Sequence, residues 1–161
     1  MFAIDDAMLM NLTKKQKYDY ALQSIENLTA NENNSTANMA NITAVLMEVF
    51  NFLWVGFYVV INDELVLGPF QGSVACTRIA YGKGVCGACW QLATTQLVPN
   101  VEDFEGHIAC SSSTKSEIVI PIFANDKVRA VLDIDSENLN NFDRVDVENL
   151  ELICKILNNR I

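Results

Sequence analysis

Two segments built around Asn-Asp pairs constrain the fold of this chain more than any other feature. Residues 52–68 are strand-forming except at Asn62-Asp63, and residues 117–135 are strand-forming except around Asn125-Asp126. Such a pair tolerates the tight turn that joins two antiparallel strands, while the apolar and β-branched residues on either side favour pairing. The sequence therefore predicts two β-hairpins.

Apolar residues at helical spacing precede and follow these hairpins. Thr13 and Gln16 form a capping box at the start of a first helix, and a polar break over residues 29–36 separates it from a second. A last helix begins near Asp143 and carries an apolar face formed by Val147, Leu150, Cys154, Leu157 and Ile161. Helices, then hairpins, then a helix predict an α+β domain over residues 1–161, a central antiparallel sheet flanked on one side by the N-terminal and C-terminal helices.

The region between the hairpins is less regular. We expect a third strand over residues 74–80, a short helix over 84–92 and a short strand over 96–99. A long irregular loop over 101–116 completes it. Compact domains seldom carry a loop of that length without a functional reason.

Composition excludes several classes of partner. The 161 residues carry 11 basic and 20 acidic side chains, a formal charge of -9, which argues against nucleic acid and anionic membrane surfaces. The longest apolar run, residues 52–61, is half of what a membrane-spanning helix needs. The first ten residues lack the basic start of a secretory leader, so we expect a cytoplasmic protein whose cysteines are thiols rather than structural disulfides.

Five cysteines are present, and three of them lie among polar or glycine-rich neighbours: Cys76, Cys86 and Cys110. Cys86 falls in the first turn of its predicted helix, where the exposed backbone N–H groups can lower a thiol pKa, and its spacing fits a buried, inert thiol equally well. Cys89 and Cys154 lie on apolar helix faces and are expected to pack. The pattern indicates thiol chemistry at the first three.

Other chemistry fits this pattern poorly. Cys86 and Cys89 have the spacing of a zinc pair, but no second pair exists, so no metal is expected. A thioredoxin-like use of the same pair would need a βαβ context, which the hairpins do not supply. Residues 82–87 match the dinucleotide-binding pattern of glycines, yet they lie mid-chain rather than in a first βαβ unit. We therefore expect no cofactor.

A pair of carboxylates is more informative. Asp133 and Asp135 share one face of their predicted strand because side chains alternate along a strand, and Glu117 on the partner strand can join them. A solvated surface would account for the like charges, and so would a bound ammonium group.

Seven segments resemble the free methionine-(R)-sulfoxide reductase family, whose members are stand-alone GAF domains. They are TrpValGlyPheTyr at 54–58, LeuGlyProPheGlnGly at 67–72, AlaCysThrArgIle at 75–79, GlyValCysGly at 84–87, HisIleAlaCys at 107–110, SerGluIleValIlePro at 116–121 and LeuAspIleAspSer at 132–136. The resemblance implies a GAF-like fold and thiol-dependent reduction of free methionine (R)-sulfoxide to methionine, through a cysteine sulfenic acid and a disulfide.

The resemblance also implies residue roles. Cys110 would be the nucleophile and Cys76 the resolving thiol, with Cys86 able to form an alternative disulfide. The acidic groups Glu117, Asp133 and Asp135 would hold the substrate ammonium, and Glu117 and Asp135 would help to protonate the sulfoxide oxygen. Trp54 and Tyr58 would wall the methyl pocket, and backbone N–H groups of the long loop would take the carboxylate.

Partners follow from the same resemblance. Thioredoxin would regenerate the thiols, and a homodimer is expected because GAF relatives often pair through their helices. Two other classes remain open from the sequence: a GAF sensor that binds a small ligand and regulates a partner, and a thiol redox switch without a substrate.

Overall fold

A computed structural model describes residues 9–108 and 112–161. Its elements in chain order are α1 (Lys14–Thr29), α2 (Ser35–Phe50), β1 (Trp54–Ile61), β2 (Glu64–Gln71), β3 (Arg78–Ala80), α3 (Gly84–Leu92), β4 (Gln96–Val98), β5 (Ser116–Ala124), β6 (Lys127–Ser136) and α4 (Arg144–Leu157). A 3₁₀ turn, Val101–Asp103, follows β4. No helix in the described ranges is long and apolar enough to cross a membrane.

The strands form one antiparallel sheet in the order β3-β2-β1-β6-β5-β4. Both predicted hairpins are confirmed as β1–β2 and β5–β6. Asn62 and Asp63 have φ values of 51° and 61°, and Asn125 and Asp126 have values of 51° and 60°. Positive φ at both turn residues matches the right-handed twist of the strands, which explains the Asn-Asp pairs.

One face of the sheet carries the main core. Alternate strand residues such as Phe57, Ile120 and Leu132 pack there against the apolar faces of α1, α2 and α4. The predicted capping box at Thr13 and the helix start at Asp143 are both present. A buried hydrogen bond joins α1 and α4: the hydroxyl of Tyr18 donates to the carboxylate of Asp146 at 2.8 Å.

The other face of the sheet is covered differently from the prediction. Helix α3 packs there and buries Val85 and Cys89 against Val119 and Val131, so the helices do not all lie on one side. Its bounds are those predicted. Beside α3, this second face is left open to form a pocket.

The third strand is shorter than predicted. It spans only Arg78–Ala80, and Cys76 lies before it in a connecting segment. Side chains of β1 hold the backbone of this segment at two positions. The indole Nε1 of Trp54 donates to the carbonyl of Ser73, and the hydroxyl of Tyr58 donates to the carbonyl of Cys76, each at 3.0 Å.

Candidate active site

Strand register brings three carboxyl groups to one pocket. Asp133 and Asp135 lie on the same face of β6, and Glu117 of β5 is paired in register with Asp135. Glu117 and Asp133 are only 6% and 7% exposed. The sequence prediction that these side chains meet on one face is confirmed, and burial rules out a solvated surface as the reason for their proximity.

Burial and mutual repulsion change how these groups ionise. Burial raises the pKa of Asp133 to about 6, against the effect of hydrogen bonding from Cys86 and Glu117, which lowers it. Burial, followed by the negative charges of Asp133 and Asp135, raises the pKa of Glu117 well above its ordinary value. Burial and the charge of Asp133 do the same to the pKa of Asp135. These shifts all favour the protonated form of the carboxyl groups relative to exposed ones.

The cluster is incompletely satisfied. Oδ1 of Asp133 is buried and has no hydrogen-bond partner among the described residues. His107 lies nearby, with its Nε2 3.7 Å from Oε2 of Glu117, but burial lowers the pKa of His107 and favours its neutral form. A buried carboxylate oxygen without a partner is costly, so the site is suited to a cationic or hydrogen-bond-donating ligand.

Aromatic rings lie beside the carboxylates on the same face of the sheet, since Trp54 of β1 is paired in register with Asp135 of β6. Trp54 and Tyr58 lie on the same face of β1, with ring centroids 6.1 Å apart, and Phe70 stacks on Trp54 at 5.4 Å. The indole lies over Gly56, where an added Cβ would come within 2.3 Å of the ring. The glycine in the 54–58 segment is therefore required for the ring to lie flat on the sheet.

Cys86 enters the pocket from the first turn of α3. One ligand-capable atom from each of Cys86, Glu117 and Asp133 lies within 4.8 Å of the other two. The sequence left open whether this thiol is reactive or buried and inert, and the structure shows it buried. Burial, followed by the charges of Asp133 and Glu117, raises the pKa of Cys86 well above its ordinary value and outweighs the helix N-terminus.

The remaining cysteines separate into two groups. Cys89 is fully buried and its Sγ lies 3.6 Å from the carbonyl of Val119, while Cys154 is buried in the main core, so both pack as predicted. Cys76 is disulfide-bonded, whereas Cys86, Cys89 and Cys154 are free thiols. Cys110 lies outside the described residues.

These elements enclose a pocket of ≈ 520 Å³, including its open mouth. Carboxylates and the Cys86 thiol form its floor, the aromatic residues one wall, and residues 73–75 and the loop at His107 and Ile108 its rim. Sequence reasoning gave no role to Lys83, which lines the pocket, or to Thr114, which hydrogen-bonds Asp135. Thr114 lies two residues before β5, the strand that carries Glu117, and this position in the sequence was the signal available for it.

This chain is similar to known proteins in both sequence and fold. The GAF domain family model matches residues 35–158. GAF domain-containing protein A of Dictyostelium discoideum is 52% identical, over 96% of this chain and 99% of its own length. The free methionine-R-sulfoxide reductase of Saccharomyces cerevisiae is 43% identical, over 92% of this chain and 87% of its own. The substrate complex of free methionine-R-sulfoxide reductase from Neisseria meningitidis is 46% identical, with a TM-score of 0.89, covering 99% of this chain and 93% of that one.

The chain therefore belongs to the GAF domain family, as its curled antiparallel sheet and flanking helices indicate. Within it, the chain belongs to the free methionine-R-sulfoxide reductase family of oxidoreductases that act on sulfur. The resemblance noted in the sequence is confirmed.

Proposed function

We propose that this protein reduces free L-methionine (R)-sulfoxide to L-methionine. The observation that carries the proposal is the buried carboxylate cluster beside aromatic rings in one pocket, with one oxygen that has no hydrogen-bond partner among the described residues. The Neisseria meningitidis relative and a Staphylococcus aureus relative, 42% identical, have both been solved in complex with substrate. The choice of the R epimer rests on this family membership.

The pocket suits a free amino acid because its charges are separated. Glu117, Asp133 and Asp135 would hold the ammonium group, since charge-assisted hydrogen bonds are the strongest available to it. Lys83 lines the same pocket and supplies positive charge for the carboxylate, together with backbone N–H groups of the 101–116 loop. Trp54 and Tyr58 would receive the methyl group.

The chemistry transfers oxygen from substrate sulfur to a cysteine. The Cys110 thiolate attacks the sulfoxide sulfur while a protonated carboxyl, Glu117 or Asp135, gives its proton to the sulfoxide oxygen. Burial raises the pKa of both groups, which favours the protonated form that a proton donor needs. The oxygen leaves with the cysteine as sulfenic acid, so sulfur of the substrate is reduced and sulfur of Cys110 is oxidised.

A second thiol then completes the cycle. The resolving thiolate attacks the sulfenic sulfur, releasing water and forming a disulfide that a dithiol such as thioredoxin reduces. We assign this role to Cys76, because Cys76 is disulfide-bonded while Cys86 is a free, buried thiol whose raised pKa weakens it as a nucleophile. Cys86 remains the alternative partner.

Three further features belong to the proposal. The chain acts as one domain over residues 1–161. It works in the cytoplasm, where thioredoxin keeps thiols reduced. It forms a homodimer through its helices, which light scattering after size exclusion would detect as twice the chain mass of 17.9 kDa.

The direct test is incubation with methionine (R)-sulfoxide and dithiothreitol, followed by assay of methionine. Catalytic production of methionine supports the proposal. Binding of the sulfoxide without turnover would instead indicate a GAF sensor, and thiol oxidation by peroxide without sulfoxide reduction would indicate a redox switch. Either result would overturn the enzymatic assignment.

A further inference from the structure

One thiol sulfur, a soft metal ligand, and two carboxyl groups, which are hard ligands, come together from three different elements. Cys86 comes from α3, Glu117 from β5 and Asp133 from β6, and all three are buried. Their sulfur and oxygen atoms lie within 4.8 Å of one another. The sheet register sets the two carboxyl groups, and the packing of α3 on this face sets the sulfur.

A second observation shows that this group is open to a ligand. Oδ1 of Asp133 is buried without a hydrogen-bond partner among the described residues, although Asp133 lines a pocket with an open mouth. Desolvated and unpartnered, this oxygen is costly in the empty protein. A cation that coordinates it would remove that cost.

We propose that Cys86, Glu117 and Asp133 form a binding site for one thiophilic divalent cation of the zinc type. One thiolate and two carboxylates leave a fourth tetrahedral position, which faces the pocket and can hold water. Magnesium is excluded as the matched ion because it requires octahedral oxygen ligands. On binding, the cation replaces the proton of the Cys86 thiol and any proton held by Glu117 or Asp133, and these protons pass to solvent with no change of oxidation state.

The geometry needs only a small contraction. Zinc–sulfur and zinc–oxygen bonds of about 2.3 and 2.1 Å give ligand separations of about 3.4–3.6 Å in a tetrahedral site. The separations of up to 4.8 Å therefore have to shorten by about 1 Å on binding.

This site differs from the zinc pair that the sequence suggested and rejected. Cys89, the second cysteine of that pair, is turned toward the carbonyl of Val119. It lies outside the group formed by Cys86 and the two carboxyl groups. The structure thus offers Cys89 as a matched control: a buried thiol of the same helix that should not bind the cation.

The site overlaps the position given above to the substrate ammonium. Cation and substrate would share Glu117 and Asp133, so they should exclude one another. This consequence rests on the proposed function, whereas cation binding itself does not.

The test uses cobalt(II) as a spectroscopic replacement for zinc. The full chain carries Cys76→Ser and Cys110→Ser, so neither proposed redox thiol can bind metal. We expect one equivalent of Co²⁺ to bind with thiolate-to-cobalt charge-transfer absorption. Cys86→Ser should abolish that absorption, Cys89→Ser should retain it, and Glu117→Gln should weaken affinity by at least about tenfold. Circular dichroism checks that each variant is folded, and Glu117→Gln tests the site independently of the thiol.

Absence of charge-transfer absorption, its survival in Cys86→Ser, or equal loss in Cys89→Ser would overturn the cation site. Adding methionine (R)-sulfoxide should displace the cobalt. If cobalt binds as expected and the sulfoxide fails to displace it, the cation site is supported and the proposed position of the substrate ammonium is wrong.

Discussion

The hydroxyl of Tyr58 donates a hydrogen bond to the main-chain carbonyl of Cys76 at 3.0 Å. Tyr58 is 2% exposed and anchored on the central strand β1, whereas Cys76 lies in a connecting segment between β2 and β3. This bond, with that from Trp54 to Ser73, fixes the backbone of the segment above the pocket. A pocket residue thereby sets the position of the thiol proposed to resolve the sulfenic acid.

Tyr58→Phe tests this relationship because it removes the hydroxyl and keeps the ring. Loss of a net hydrogen bond of 0.5–1.5 kcal/mol predicts disulfide formation about 2- to 10-fold slower after one equivalent of sulfoxide. Rapid-quench sampling with thiol alkylation measures that rate. Tyr81→Phe, which alters an exposed tyrosine outside the pocket, should leave it unchanged. Equal rates in the Tyr58 variant and the parent would remove the positioning role.

The nucleophile is tested by single-turnover chemistry. Cys110→Ser should abolish methionine formation even in a single turnover, because no sulfenic acid can form. Cys89→Ser and Cys154→Ala should stay near the parent rate, since both thiols are packed away from the pocket. Methionine is quantified after one equivalent of substrate. Full activity in the Cys110 variant would contradict the assignment.

The resolving thiol is identified by mapping the first disulfide. After one equivalent of sulfoxide without reductant, non-reducing peptide mapping should find Cys76 linked to Cys110 before any Cys86 linkage. Cys76→Ser should accumulate sulfenic acid, trapped by a dimedone-type reagent, and recycle poorly with thioredoxin. A Cys86–Cys110 linkage appearing first, with normal recycling of Cys76→Ser, would give the role to Cys86.

The buried carboxylates predict a pH dependence of stability. Asp133 has a pKa of about 6 in the folded chain, against an ordinary value of 3.8. Because the folded value is the higher one, its contribution is favourable below about pH 4 and is lost as pH rises through 6. The shift of about two units corresponds to roughly 3 kcal/mol. The raised pKa values of Glu117 and Asp135 extend this loss to higher pH.

Thermal unfolding of the ligand-free protein measures the effect. Asp133→Asn should raise Tm at pH 8 relative to the parent, and that gain should shrink toward pH 5. The exposed carboxylate of Glu137 provides the control, since Glu137→Gln should shift Tm little at either pH. A Tm of Asp133→Asn below that of the parent at pH 8 would show that the carboxylate stabilises the empty site.

Local rules made much of this structure predictable from sequence. The two hairpins follow from Asn-Asp pairs that accept positive φ, and strict alternation along β6 places Asp133 and Asp135 on one face. Pairing of Glu117 beside them follows from the hairpin register. These features depend on residues near one another in the chain.

Long-range contacts account for what the sequence did not reveal. Cys76 was expected on a strand, but side chains from β1 hold the carbonyls of its segment. Cys86 was correctly placed at a helix start, yet its thiol pKa is governed by burial against carboxylates from β5 and β6. The packing of α3 on the second sheet face, which buries Cys86, is not visible in any local pattern.

The most direct test of the central proposal compares free methionine (R)-sulfoxide with its N-acetyl derivative. Both carry the same sulfoxide, but only the free amino acid has the ammonium that Glu117, Asp133 and Asp135 would bind. Loss of one charged hydrogen bond, about 1.5–3 kcal/mol, lowers kcat/KM by roughly 10- to 100-fold, and loss of several lowers it further. We predict rapid methionine formation from the free sulfoxide and almost none from the N-acetyl compound. Comparable kcat/KM values for the two would contradict the role of the carboxylate cluster.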